Sequence, residues 1–280
     1  MNPQQLYRDV CQECARHITQ RYSTSFSLGI RLFDEALRDP IYAIYGFVRF
    51  ADEIVDTFHG RDKRALLAEF RDDTFRAIDR GLSLNPVLEA FQRTVRDYAI
   101  ERDLIEAFLF SMELDIEHRV YERSLYDTYI YGSAEVVGLM CLRVFCAGDP
   151  DAYDRLEAPA RRLGAAFQKV NFLRDISSDF HDRGRVYFPG VEFARFTDEQ
   201  KAEIEREIAD DFAAALVGIR ALPRGARLGV HTAYVYFRDL LRRIRATDAR
   251  RIAHERIRVP DAAKLGLMVS SAVRHRLGVL

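Results

Sequence analysis

Four aspartates and one asparagine have the spacing best suited to chemistry. Asp52 and Asp56 stand four residues apart in Arg49-Phe50-Ala51-Asp52-Glu53-Ile54-Val55-Asp56. Asn171, Asp175 and Asp179 repeat that interval, with Gln168 one turn earlier. On a helix this interval stacks side chains along one face. Both stripes continue apolar segments, where like charges are poorly solvated and costly. Taken alone, the first stripe reads as a solvated helix end with Arg49 and Arg61 as counter-ions. Taken together, two acidic stripes on core helices can face each other across a cavity, and there they require cations between them. Magnesium suits this best, because it takes carboxylate and amide oxygens, keeps several waters and completes its shell with substrate phosphates. Manganese accepts the same hard ligands. The pattern therefore predicts a metal-diphosphate site with Asp52, Asp56, Asn171, Asp175 and Asp179 as ligands.

The elements that must position these residues are helical. Asp39-Pro40, Asn85-Pro86 and Asp149-Pro150 each pair a capping residue with proline at a first helical position. Thr197 followed three residues later by Gln200 makes a capping box. Apolar residues recur at three and four, as in Leu104, Phe108, Met112 and Ile116. The spacing predicts helices near 3–19, 23–32, 40–57, 62–79, 86–98, 101–120, 125–147, 150–180, 198–220 and 226–247, with a further helix closing the chain. Ile41 to Val48 and Val136 to Leu142 are apolar nearly all round, so they belong inside the bundle. No repeat or linker divides the 280 residues. The expectation is one all-α domain over residues 1–280, with a central cavity.

Composition sets limits on function. With 48% hydrophobic residues the chain can build a core, and intrinsic disorder is excluded. A formal net charge of -1 argues against nucleic-acid binding by bulk charge. No uninterrupted apolar run reaches the ~18–20 residues of a membrane span, and Met1 to Gln5 has no secretory character. The pairs Cys11/Cys14 and Cys141/Cys146 lie inside helical patterns, which favours packed, reduced thiols over zinc and implies a cytoplasmic protein.

Several motifs carry a resemblance. Tyr22-Ser23-Thr24-Ser25-Phe26-Ser27, Tyr45-x3-Arg49-x2-Asp52-x3-Asp56, Tyr129-Ile130-Tyr131-Gly132-Ser133-Ala134 and Gln168-x2-Asn171-x2-Arg174-Asp175-x3-Asp179 occur in that order, followed by Gly184-Arg185-Val186-Tyr187-Phe188-Pro189. The set resembles the squalene/phytoene synthase family over nearly the whole chain. The resemblance implies an isoprenoid-synthase helical bundle and Mg²⁺-dependent, head-to-head condensation of two prenyl diphosphates. In that scheme one substrate loses diphosphate, the double bond of the other attacks the allylic cation, and a cyclopropylcarbinyl diphosphate forms before rearranging to a linear hydrocarbon. Asp52, Asp56, Asp175 and Asp179 are then catalytic, with Tyr129.

Other roles follow from the same likeness. Tyr22, Ser23, Ser25, Arg49, Gln168 and Arg174 would bind diphosphate, and Arg185 and Tyr187 would reach it from a lid. Phe26, Tyr45 and Tyr236 would line a dry, π-rich pocket, with core packing as the competing role. Arg256 would supply a further cation. Tyr22 stands where many relatives carry His, and Ser178 where Glu is common.

The wording of the motifs favours bacterial phytoene synthases, which join two C20 diphosphates in the first committed step of carotenoid biosynthesis. The alternative is the same chemistry on C15 farnesyl diphosphate, giving squalene or dehydrosqualene. A non-catalytic assembly protein and a terpene cyclase are more distant alternatives. A phytoene synthase needs no nicotinamide cofactor. From Leu241 to Leu280 ten Arg/Lys oppose three acids. Val259, Leu265, Leu267, Met268 and Val269 beside Arg256, Arg258 and Lys264 could form a basic amphipathic helix resting peripherally on the inner membrane face, or an ordinary closing helix.

Overall fold

The computed structural model describes residues 2–118 and 120–276. Among the described residues thirteen α-helices run in chain order: α1 (Pro3–Tyr22), α2 (Thr24–Ile30), α3 (Glu35–Asp56), α4 (Lys63–Arg80), α5 (Pro86–Asp97), α6 (Arg102–Glu117), α7 (Arg123–Ile130), α8 (Val136–Cys146), α9 (Pro150–Arg183), α10 (Asp198–Ala221), α11 (Arg224–Arg245), α12 (Ala249–Ile252) and α13 (Asp261–Arg276). A π-helical turn, Tyr131–Glu135, joins α7 to α8. No strand occurs among the described residues, only a bridge between Val120 and Val186.

Local sequence explains most helix ends. Asn85 accepts from Val87 N at 3.0 Å and Asp149 from Ala152 N at 3.0 Å, each ahead of a first-turn proline. Both halves of the Thr197–Gln200 capping box are made. Asp39-Pro40 does not start a helix. Helix α3 begins at Glu35 and carries Pro40 inside it, where the missing N–H forfeits only one early ladder bond. Asp39 is instead drawn to α1, accepting Arg16 on its carboxylate at 2.8 Å and Gln12 on its carbonyl at 2.6 Å.

The stretch expected as one helix over 125–147 is interrupted by the π-turn. A Cβ on Gly132 would lie 2.4 Å from the Ala107 carbonyl oxygen and 2.7 Å from Ser111 Cβ, so α6 presses directly on that backbone. Close helix approach is therefore the role of Gly132. Arg123–Cys146 is long and apolar enough to cross a bilayer by composition, but 56% of that window is buried among other helices.

The core forms around α3, α5 and α6. Phe47 stacks on Phe91 with ring centroids 3.9 Å apart, and Phe70 and Phe108 close around the pair. Such aromatic contacts dominate core energetics. On α3 only Tyr45 and Val48 of the Ile41–Val48 run escape full burial, and both face a cavity. Helix α8 packs between α3, α6 and α9. The two acidic helices, α3 and α9, both contribute residues to the wall of that cavity.

Candidate active site

The cavity measures about 720 Å³. One end is polar, where Tyr22, Ser23, Ser25, Arg49, Gln168, Asn171, Arg174 and Arg256 line it. The remainder is apolar, lined by residues such as Phe33, Leu142, Phe145 and Leu156; at Gly138, Gly164 and Gly218 a Cβ would meet Ala160, Ala134 and Pro159, so these glycines let neighbouring helices approach closely. Phe26, Tyr45 and Tyr236 also line it, with Phe26 and Tyr45 rings 5.8 Å apart. Ser23 caps α2 by accepting from Phe26 N at 3.2 Å, and Tyr22 covers Arg49, whose guanidinium carbon lies 4.4 Å from the ring centroid. Arg49 also pairs with Glu53, leaving its buried Nε without a partner.

Beyond the polar end the acidic stripes meet through arginine. Arg183 bonds Asp179 at 3.0 Å and reaches Asp56 at 3.4 Å. Arg185 bonds Asp56 at 3.2 Å. Asp175 is held by Arg174 and, at 2.7 Å, by Arg256. Among the described residues no three acid, histidine or cysteine side chains gather about one point suited to an ion. The expected ligands therefore lie on facing helices, braced by cations of the chain itself.

Their electrostatics show that this bracing is incomplete. Burial pushes the Asp52 carboxyl up to about 7; Arg49 opposes the rise, and Asp56 and Asp115 reinforce it. Asp179 is likewise pushed up to about 7, chiefly by burial and then by Asp175. A buried carboxylate with neighbouring acids is favoured by a nearby cation, and its hard oxygens suit a divalent one.

A pH dependence of stability follows. In the unfolded chain these aspartates titrate near ~4. Between about pH 4 and 7 the folded state holds more protons, so stability falls as pH rises through that window. In chelator-treated protein we expect the Tm to be higher at pH 5.5 than at pH 8 by roughly 5 °C. Asp52→Asn should flatten that slope; an unchanged slope would show that Asp52 titrates normally.

Not every expected residue faces the cavity. Asp52, Asp56, Asp175, Asp179 and Arg185 lie beyond its lining, and so do Tyr129 and Tyr187; the two tyrosines are 3% and 6% exposed. They point away, to Asp115 on α6. Sequence reasoning passed over Asp115, and also Arg183. The signal for Asp115 was present: it follows Phe108 and Met112 at helical spacing on the buried face of α6, where a charge is out of place.

The C-terminal expectation also changes. Val259 is buried, and Lys264 and Leu267 line the cavity, so these residues do not offer an outward apolar face. The side chains of Leu265, Met268 and Val269 lie outside the described residues.

Comparison with known proteins fits this geometry. Residues 19–263 match the squalene/phytoene synthase family, a span that contains both acidic stripes and every residue lining the cavity except Lys264 and Leu267. The chain belongs to the squalene/phytoene synthase family. Enzymes of this family transfer prenyl groups between prenyl diphosphates.

Among its relatives, the presqualene diphosphate synthase of Rhodopseudomonas palustris is 34% identical over 63% of this chain and 62% of its own length. The 15-cis-phytoene synthase of Synechocystis sp. is 31% identical over 90% of this chain and 82% of its own. A dehydrosqualene synthase solved with a ligand superposes with a TM-score of 0.83 at 19% identity, covering 98% of this chain and 99% of that one. That likeness shows the fold, the all-α isoprenoid-synthase bundle.

Proposed function

We propose that this family member is a magnesium-dependent phytoene synthase, joining two C20 geranylgeranyl diphosphates. One observation carries the choice of substrate: the phytoene synthase relative matches 90% of the chain, against 63% for the presqualene diphosphate synthase.

The residues divide the work. Arg49 with Ser23 and Ser25 receives one diphosphate at the polar end, and Arg174, Arg256 and Gln168 receive the other. Guanidinium groups suit this because they donate in pairs to phosphate oxygens. Asp52, Asp56, Asn171, Asp175 and Asp179 would hold magnesium, which when bound supplies the positive charge that a departing diphosphate requires. The apolar walls exclude water from the prenyl chains, and the Phe26, Tyr45 and Tyr236 faces offer π density to developing positive charge.

Product analysis tests the proposal. With Mg²⁺ and geranylgeranyl diphosphate the purified protein should release a C40 hydrocarbon, phytoene. A kcat/KM at least tenfold higher on farnesyl diphosphate, giving presqualene diphosphate, squalene or dehydrosqualene, would replace the C20 assignment by the C15 one.

A further inference from the structure

Asp115 is 5% exposed, yet four donors converge on it. Its Oδ1 accepts from Tyr121 Oη at 2.9 Å and Tyr187 Oη at 3.0 Å; its Oδ2 accepts from Tyr129 Oη at 2.6 Å, with Arg185 Nη1 at 3.6 Å. These donors come from four places in the chain: the 118–122 connection, α7, and two positions of the segment after α9. Tyr121 N also donates to the Val186 carbonyl at 3.3 Å. The three tyrosine rings pack together, and Tyr187 stacks on Phe172 of α9 with centroids 4.0 Å apart.

A buried carboxylate is a poor device for stability alone, since apolar side chains of similar size would fill the same space at lower desolvation cost. What it supplies is direction. Arg185 Nη1 stands between two carboxylates, 3.2 Å from Asp56 and 3.6 Å from Asp115. Asp56 belongs to the acidic stripe of α3; Asp115 does not, and the groups bonded to its oxygens are all donors. If the counter-ion of a diphosphate engages Asp56, Arg185 can release that contact and remain anchored through Asp115. We infer that Asp115 is a positioning residue, which fixes Tyr187 and Arg185 to α6 so that the guanidinium is presented to the diphosphate end of the site. This rests on the reading that diphosphate binds there, but not on the C20 assignment.

Two readouts test it together: tryptic cleavage after Arg185, and steady-state kinetics with whichever prenyl diphosphate the enzyme converts. Asp115→Asn should retain its helical circular dichroism, be cut after Arg185 at least tenfold faster, and show KM raised at least tenfold with a smaller fall in kcat. Asp115→Glu should recover both values to within threefold of the parent. Cleavage rate and KM within twofold of the parent in Asp115→Asn would overturn the inference. If Asp115→Asn does not fold, Tyr187→Phe decides: faster cleavage and raised KM support the role, and parental values overturn it. Should neither prenyl diphosphate be converted, the cleavage arm still decides the anchoring, while the failed turnover counts against the proposed activity alone.

Discussion

Asp52→Asn is expected to cut turnover by about a thousandfold, roughly 4 kcal/mol in the barrier, while raising the Tm of the metal-free protein. The opposite signs come from one cause. Asp52 is pushed up to about 7 by burial and by the neighbouring Asp56 and Asp115 charges, so its anion destabilises the empty fold. Asparagine keeps the shape and removes the charge. The same change deletes a ligand for the cation that the departing diphosphate needs. Asp175→Asn should inactivate as strongly but lower the Tm, because Asp175 is the shared acceptor of Arg174 and Arg256. Single-turnover assays across a Mg²⁺ series, paired with thermal melts, measure both effects. Parental turnover in either variant, or activity indifferent to chelation, would mean that these aspartates are structural.

Lys169→Met is expected to lower the Tm by roughly 10 °C with little change in kcat for the surviving folded enzyme. Lys169 lies beside Gln168 in the second acidic segment, yet it turns away from the cavity towards α10. There it donates to Asp211 at 2.7 Å and Glu207 at 2.5 Å, and both Lys169 and Asp211 are buried. Burial alone would raise the Glu207 carboxyl; Lys169 first, and then Arg123, outweigh it by hydrogen bond and charge and lower it. Removing one partner of a buried pair leaves an uncompensated charge, which costs about 3–5 kcal/mol, whereas replacing both with apolar groups is often near neutral. Lys169→Met/Asp211→Leu should therefore regain most of the lost stability. A fall below 2 °C in the single variant would show that Arg162, 2.9 Å from Asp211, carries the compensation unaided.

Much of the site was visible in sequence because its signals are local. The i, i+4 repeat of the acidic stripes, the proline-led helix starts at Asn85 and Asp149 and the Thr197–Gln200 box each depend on residues within one helical turn. The family motifs are equally compact. The same rules misplaced the start of α3, because the pull of Arg16 and Gln12 on Asp39 crosses from α1. They also missed the π-turn, which the contact of Gly132 with α6 accompanies.

Residue order and periodicity dictate an all-α chain with two acidic helices, a cationic polar end and a set of aromatic side chains. Tertiary structure alone decided which side each of those groups faces. Tyr129 and Tyr187 were indistinguishable by type from Tyr45 and Tyr236, yet the first two bind Asp115 inside the wall and the latter two line the cavity. Arg183 and Asp115 became part of the site only when α3, α6 and α9 were brought together. The physical reason is that hydrogen bonds and ion pairs depend on distances of a few ångströms between atoms far apart in the chain, and helical periodicity carries no information about those distances.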